Sequence, residues 1–310
     1  DELYSQLMRE WSDPVAFFPA ILESAIQKRI VTAYENVGTT FQAWTTKGSL
    51  SDFKQTADKE YVIGGADDFK EIPENGEFQS ASIQYDTLPH RQLKTYGKEF
   101  SMSRQAFIDD DIGWLSNVMV KHVQSAARTI EKQVYSLIVS NSTIWDGKAL
   151  FHTDHGNYIS SGGAPASATI KAIIDKMRTQ TDPFGDPIIL NPKYLVVPTG
   201  YEWDLTVLFN TTQVTGSANN DINPLYNYPL QVVQSPYINA LAGASAKPWL
   251  LVADPASCYG IQVDYLNGQE TPNTRRLENT NTLGFRWQLY LDWAVWVRDY
   301  RGVYCNAGVA

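Results

Sequence analysis

The chain has 310 residues, 43% hydrophobic and 19% charged, with 9 Trp, 17 Tyr and 12 Phe. That supplies a core for one elaborate domain or two linked ones, with aromatics to spare for partners. A net charge of −9 argues against tight nucleic-acid binding, which needs clustered Lys and Arg; no apolar run reaches the ~18 residues of a membrane span, and no charged-then-apolar signal segment opens the chain.

Residues 1 to about 37 have a helical pattern broken by Pro14 and Pro19. This leaves Trp11, Phe17 and Phe18 on an irregular arm whose aromatics need a surface to cover them. Ile21, Leu22, Ala25, Ile26 and Ile30 then keep close to helical spacing. From Phe41 to about Phe100 the chain turns polar, punctuated by Gly64-Gly65 and Asn75-Gly76, both able to take positive φ in a turn. Alternating runs accompany them, Phe78-x-Ser80-x-Ser82-x-Gln84 and Leu93-x-Thr95-x-Gly97-x-Glu99-x-Ser101. Together they predict a long, mostly solvated β-hairpin, a form that is marginal alone in water.

Asp109-Asp110-Asp111 is placed to cap the longest helix. Apolar residues at Ile112, Leu115, Met119, Val123, Ala126, Ile130, Val134 and Leu137 carry it to about Asn141, or ~45 Å at 1.5 Å per residue. Arg128, Glu131 and Lys132 mark the opposite face. The Ser/Gly/Ala/Pro-rich stretch from Ser160 to Ala168 reads as a connection. Beyond it the pattern predicts an α/β unit. Its helices are 168–178 and 200–209, and its strands 187–190, 194–198, 230–233, 249–252 and 260–265. The tail alternates from Phe285 to Val297, turns at 298–302 and ends near Val303-Tyr304, predicting two strands that return beside the long helix.

Two of the four histidines fall in one turn-rich stretch, Trp145 to Asn157. As chemistry, His152-x-Asp154-His155 is a compact set of ligand types for Zn or Fe. Metalloprotease histidines, however, stand at i, i+4 with a Glu between them, whereas these stand at i, i+3 after a glycine turn, and His90 and His122 lie elsewhere. As architecture, the stretch is a polar loop whose His and Asp bond local backbone, and the pattern favours this reading. There is no G-x-S-x-G, no G-x-x-x-x-G-K-[ST] and no G-x-G-x-x-G after a strand. Cys258 and Cys305 form no C-x-x-C pair and read as two buried free thiols. Trp287, Trp293 and Trp296 have the makings of a sugar platform, but their strand context makes them core or interface residues.

Three stretches carry a resemblance. They are Asp146-Gly147-Lys148-Ala149-Leu150-Phe151 followed by His155-Gly156-Asn157, then Asn191-Pro192-Lys193-Tyr194-Leu195-Val196-Val197-Pro198, then Asp299-Tyr300-Arg301-Gly302-Val303-Tyr304. Each resembles the major head (capsid) subunits of Mu-like phages and prophages, and the order of elements is similar to the Hong Kong 97-type capsid fold. The resemblance covers most of the chain from about Phe41 onward and is weakest in the arm. It implies an α+β chain in five parts: an N-terminal arm and helix over 1–40, an extended β-hairpin loop over 41–105, a peripheral domain with the spine helix over 106–165, a separate α/β axial domain over 166–275, and strands over 276–310 returning to the peripheral domain.

The function so implied is that of a structural major capsid protein, with no enzymatic activity, cofactor or metal. It would self-assemble through hexamers and pentamers into the icosahedral head of a tailed phage. Implied partners are other copies of the chain, a portal, a scaffold or protease, decoration proteins, and packaged double-stranded DNA contacted non-specifically, with no membrane. The acidic balance suits such a wall. The implied location is the virion, after assembly in the bacterial host cytoplasm. Candidate assembly residues are Trp11, Phe17 and Phe18 in the arm and Lys54, Lys59 and Lys70 in the extended loop. Some relatives of the fold carry a cross-linking lysine in that loop, but no motif selects one here. Asp1 fits pro-segment removal as well as a cloning boundary. The alternatives are an encapsulin-like container, or a metal-dependent hydrolase built on His152, Asp154 and His155.

Overall fold

The computed structural model describes residues 28, 32–34, 37–54, 61–66, 83–87, 91–103, 114–182, 185–213, 222–226, 228–278 and 284–309. In chain order the elements are β1 (Thr46–Leu50), β2 (Tyr61–Ala66), β3 (Ile83–Thr87), β4 (Lys94–Ser103), α1 (Trp114–Val139), β5 (Tyr158–Ile159), α2 (Ser167–Arg178), β6 (Pro192–Pro198), α3 (Glu202–Asn210) and β7 (Gln231–Ser235). They continue with α4 (Pro236–Ala242), β8 (Lys247–Ala253), β9 (Ile261–Leu266), β10 (Asn273–Glu278), β11 (Gly284–Val297) and β12 (Val303–Val309). The chain divides into two units. One holds the described residues of Asp1–Thr39, Lys94–Ile130 and Tyr265–Trp293, the other those of Thr40–Leu93, Glu131–Asp264 and Ala294–Ala310.

In the first unit β11 is the central strand, antiparallel to β10 on one side and to β4 on the other. Its two-residue period sends Trp287 and Leu289 to one face, where they meet Tyr34 and the α1 residues Val123 and Ala127. Phe100 of β4 lies against this cluster, its ring 5.2 Å from His122 and 5.5 Å from Trp287. Tyr96 stacks on Trp293 at 4.0 Å. These tryptophans are core residues, as their strand context predicts. The alternation from Leu93 to Ser101 does build a strand, β4, but that strand pairs with β11 rather than within a hairpin. β10 was not legible in the sequence, because Asn-Thr-Arg-Arg-Leu-Glu lacks apolar alternation.

The second unit contains a five-stranded sheet in the order β5-β12-β8-β6-β7. β8 is antiparallel to β12 and β6, while β5 runs parallel to β12 and β7 to β6. Leu195, Val197, Trp249, Leu251, Ala253 and Tyr304 form one cluster with Ile170, Ile173, Ile174 and Met177 of α2 and Leu205 of α3. The alternate residues Val196, Leu250 and Val252 are equally buried. Both faces are therefore covered, as continuous apolar runs require. α4 packs against β6 and β8; Pro236 occupies its first turn and the Ser235 hydroxyl caps it, but seven residues are too short for the apolar period to announce a helix.

Four expectations are corrected here. Residues 187–190 are not a strand, since Pro187 makes only an isolated bridge to Thr181. Gly64-Gly65 is not a turn: it lies inside β2, where the pairing with β3 shifts register, because glycine suits a bulge as well as a turn. Glu131 is buried rather than solvated, accepting hydrogen bonds from the Thr40 amide at 3.0 Å and its hydroxyl at 2.5 Å. Of the two tail strands, β12 joins β5 and β8 in the sheet of the second unit, because alternation fixes a strand's faces and not its neighbours. Asn75-Gly76, Phe78–Ser82 and Asp109–Asp111 lie outside the described residues.

A polar cluster sits where the β2–β3 hairpin returns. Asp264 is wholly buried and accepts from Trp296 Nε1 at 2.7 Å, Gln262 Nε2 at 2.6 Å and Arg91 at 3.3 Å. Arg298 donates to Gln262 Oε1 at 3.1 Å. Gly48 of β1 lies over this cluster so closely that a Cβ there would overlap Asp264 Oδ1 and Gln262 Nε2. Gly48→Ala is expected to separate these partners and cost about 3 kcal/mol or more. A urea-unfolding midpoint equal to the parent's would show that the cluster yields freely.

Candidate functional site

The loop that drew attention in the sequence is a short 3-10 turn, Thr153–His155, with its entry and exit fixed by side chains. Nδ1 of His152 accepts the Asp154 amide at 3.2 Å, capping the turn. Asp154 is exposed and pairs with Lys148 Nζ at 2.7 Å, and the Lys148 hydrogen bond holds its carboxyl below the usual range. His155 is 4% exposed. Its Nδ1 lies 3.1 Å from the Leu150 carbonyl and its Nε2 2.5 Å from Asp146 Oδ2, with the ring stacked on Tyr300 at 4.1 Å. Gly156, at φ 68°, supplies the left-handed exit.

These three side chains lie close, with His152 Nδ1 3.5 Å from Asp154 Oδ2 and the two imidazoles 6.0 Å apart, but their polar atoms are otherwise engaged. His152 spends its Nδ1 on backbone, Asp154 on an ammonium, and His155 has a protein oxygen against each ring nitrogen. No group of three His, Cys, Asp or Glu able to hold a metal occurs among the described residues. The hydrogen bonding is local, as the architectural reading requires. Of the two thiols only Cys305 is buried as expected; Cys258 is half-buried, because it lies at the edge of the sheet's core cluster, yet neither suits nucleophilic chemistry. Burial, helped by the Asp299 carboxylate, pushes Cys258 up to about 12, and complete burial raises Cys305 as well. Both are expected to resist iodoacetamide at pH 8 in the native protein and to react at once in urea. Fast native labelling at either position would contradict the packing.

Asn157 carries most of the order. It is fully buried, and its Nδ2 donates to the carbonyls of Leu150 at 2.9 Å, Val303 at 3.2 Å and Tyr300 at 3.3 Å. Its Oδ1 accepts the His152 amide at 3.2 Å, and its own carbonyl accepts from Cys305 at 2.8 Å. Two of the three stretches that carried the resemblance, 146–157 and 299–304, thus meet at one side chain. At the second of them the backbones of Gly302 and Gly260 approach so closely that a Cβ on Gly302 would lie 3.1 Å from Gly260 Cα. The remaining stretch forms β6, with Lys193 paired to Asp254 at 3.1 Å.

Of the assembly candidates, Lys54 is exposed and follows β1, its amide held by Asp52 at 3.1 Å. Trp11, Phe17, Phe18, Lys59 and Lys70 lie outside the described residues. Sequence reasoning missed another surface: Trp203, Ile222 and Ile189 are 80%, 84% and 86% exposed. A helical wheel would have flagged Trp203, since the buried residue of α3 is Leu205, two positions and about 200° away. Asn157→Ala removes one hydrogen-bond partner from each of three carbonyls and an amide, although the Leu150 carbonyl still faces His155 Nδ1 and the Tyr300 carbonyl still accepts the Val303 amide. It is expected to lower stability by about 2–4 kcal/mol, read as a fall in thermal midpoint, and an unchanged midpoint would demote Asn157 to a bystander.

The family model described as "Phage capsid protein" matches residues 89–306. No curated protein sequence matches the chain. Among solved structures, the capsid structure of cyanophage P-SCSP1u is similar with a TM-score of 0.56 at 9% identity, over 86% of this chain and 87% of that one. A chain from Mycobacterium phage Patience gives 0.55 at 11% identity, over 92% and 86%. The holo-SrpI encapsulin complex of Synechococcus elongatus PCC 7942 gives 0.54 at 9% identity, over 89% of each chain. The match runs from the foot of the β2–β3 hairpin through the Asn157 loop and the five-stranded sheet to β12, and on it the chain belongs to the phage capsid protein family, as a major capsid protein of Hong Kong 97-type α+β fold.

Proposed function

We propose that this capsid protein is a Mu-like head subunit and that its shell encloses double-stranded DNA in a tailed phage or prophage particle. The observation that carries the Mu-like reading is the junction at Asn157, where two of the three motifs interlock. They are parts of one device, so their joint presence weighs more than either alone. The surface chemistry supports the rest. A chain of net charge −9 repels packed DNA rather than gripping it, as a wall around a mobile genome requires. In this reading the first part of the arm over 1–40 and the β2–β3 hairpin of the loop over 41–105 lie on neighbouring copies, while Tyr34, Thr40, β1 and β4 pack within their own chain. The parts over 106–165 and 276–297 belong to the peripheral domain, and 166–275 to the axial domain around each hexamer or pentamer, with β12 in the sheet of β6, β7 and β8. Portal, scaffold or protease and decoration proteins complete the particle, which assembles in the host cytoplasm.

An encapsulin-like container is the second reading, favoured by the similarity to the Synechococcus encapsulin. The contents of particles purified from the native host separate the two. Nuclease-protected double-stranded DNA of uniform length is expected, whereas a single enriched enzyme without DNA would establish the container.

The β2–β3 hairpin offers a sharper test of assembly. Arg91 and Leu93 are buried, so a cut that reaches Lys94 would damage the core. Replacing residues 59–88 with a short Gly/Ser link spares both. The expected variant keeps the parent's circular dichroism and thermal midpoint within a few degrees but yields no closed shells by electron microscopy. Normal shells from this variant would remove the extended loop from the account of assembly.

A further inference from the structure

Within the second unit, two helices show opposite charge to solvent. α2 buries Ile170, Ile173, Ile174 and Met177 and exposes Lys171, Lys176 and Arg178 against one acid, Asp175. α3 exposes Glu202 and Asp204 in its first turn and has no cation in its last. Lys171, Lys176, Glu202 and Asp204 have no side-chain partner among the described residues. Between the two acids stands Trp203, 80% exposed, with Val207 at 39% one turn further along the same face. At the helix's other end Asn223 donates to the carbonyls of Leu208 and Thr211, which holds the 84% exposed Ile222 beside them.

A large exposed aromatic is an unfavourable surface for a chain that works alone, because the indole stays wet; Glu202 and Asp204, about 200° apart around the helix, flank it on either side. Two such faces set against each other around a twofold axis would oppose acid to acid. Set against the α2 face of another copy, the acids meet cations, and the indole can lie on the lysine stems. A contact between two different faces is head-to-tail, and head-to-tail contacts close into rings when the rotation allows.

We propose that the Trp203 face of α3 docks on the basic face of α2 in the next copy, joining subunits head to tail around each capsomer ring. This rests on the shell-building reading and adds the surfaces that close the ring.

The test reverses charge on one face at a time in the full chain. One variant carries Glu202→Lys with Asp204→Lys, a second carries Lys171→Glu with Lys176→Glu, and a third carries all four. Parent and variants are compared by light scattering and negative-stain electron microscopy, with circular dichroism to confirm folding. Each single-face variant is expected to lose rings and shells at least tenfold, and the four-fold variant to recover them. Mixing the two single-face variants is expected to restore rings of even number only, because copies must then alternate. Such a mixture gives hexamers without the pentamers that a closed icosahedral shell needs. Trp203→Ala is expected to weaken rings with the charges intact. Folded single-face variants that assemble like the parent would overturn the proposal and leave the Trp203 face to some other, basic protein. A folded four-fold variant that does not recover would overturn it too, since the charges would then face other groups. A parent that forms neither rings nor shells even when co-expressed with the phage's other head proteins would instead count against the shell-building reading itself.

Discussion

A carboxylate with no access to water organises the second unit. Removing such a charge from solvent costs several kcal/mol unless its oxygens are fully engaged. Asp264 meets that demand with an indole N–H and a guanidinium drawn from distant parts of the chain and a carboxamide two residues away on its own strand. Arg91 also lies over the Trp296 ring, 5.0 Å from its centroid, so the cation is held by a face as well as by a carboxylate. The arrangement is demanding because each donor is needed at once: with one gone, the remaining charge is buried and underpaired. In return it fixes the strand at which the β2–β3 hairpin comes back into the unit, and it dictates glycine at position 48 for want of room.

The second organising point, Asn157, works by neutral hydrogen bonds rather than charge. One carboxamide serves three carbonyls and an amide, so a loop without regular structure is held as firmly as a strand. His155 and Asp146 belong to the same economy: a histidine wedged between a carbonyl, a carboxylate and a tyrosine ring is a structural part. At 9–11% identity to solved phage and encapsulin chains the fold is shared while most side chains are not.

Much of this was legible in the sequence, for identifiable reasons. α1, α2 and β11 declared themselves because each buries one face over many residues, and the period shows. Tyr194–Pro198 and Trp249–Val252 were readable as strands buried on both sides. α4 was too short for a period, β10 too charged, and β12 kept its strand form while hiding its neighbours. Glu131 misled because a buried acid looks like any other acid until its partner, Thr40, comes into view from 91 residues away. The histidine loop was ambiguous between chemistry and architecture, because its hydrogen bonds to the backbone are invisible until the turn is built. The wet face at Trp203 was missed because a tryptophan in a short helix passes for core until its angle to the buried Leu205 is drawn.

The position of β12 has a bearing on how a cell makes this protein. Val303–Val309 lies inside the sheet, between β5 and β8, and not at its edge. As the chain leaves the ribosome, β6, β7 and β8 can pair early, yet β8 keeps one open side until residues 303–309 emerge. Until then the half-built sheet exposes an unpaired strand edge that invites aggregation. Once they arrive, Tyr300 and Val303 also reach Asn157, so the loop and the sheet lock together. A copy that lacks Val303–Val309 keeps β8 unpaired on one side and loses the Val303 carbonyl that Asn157 holds.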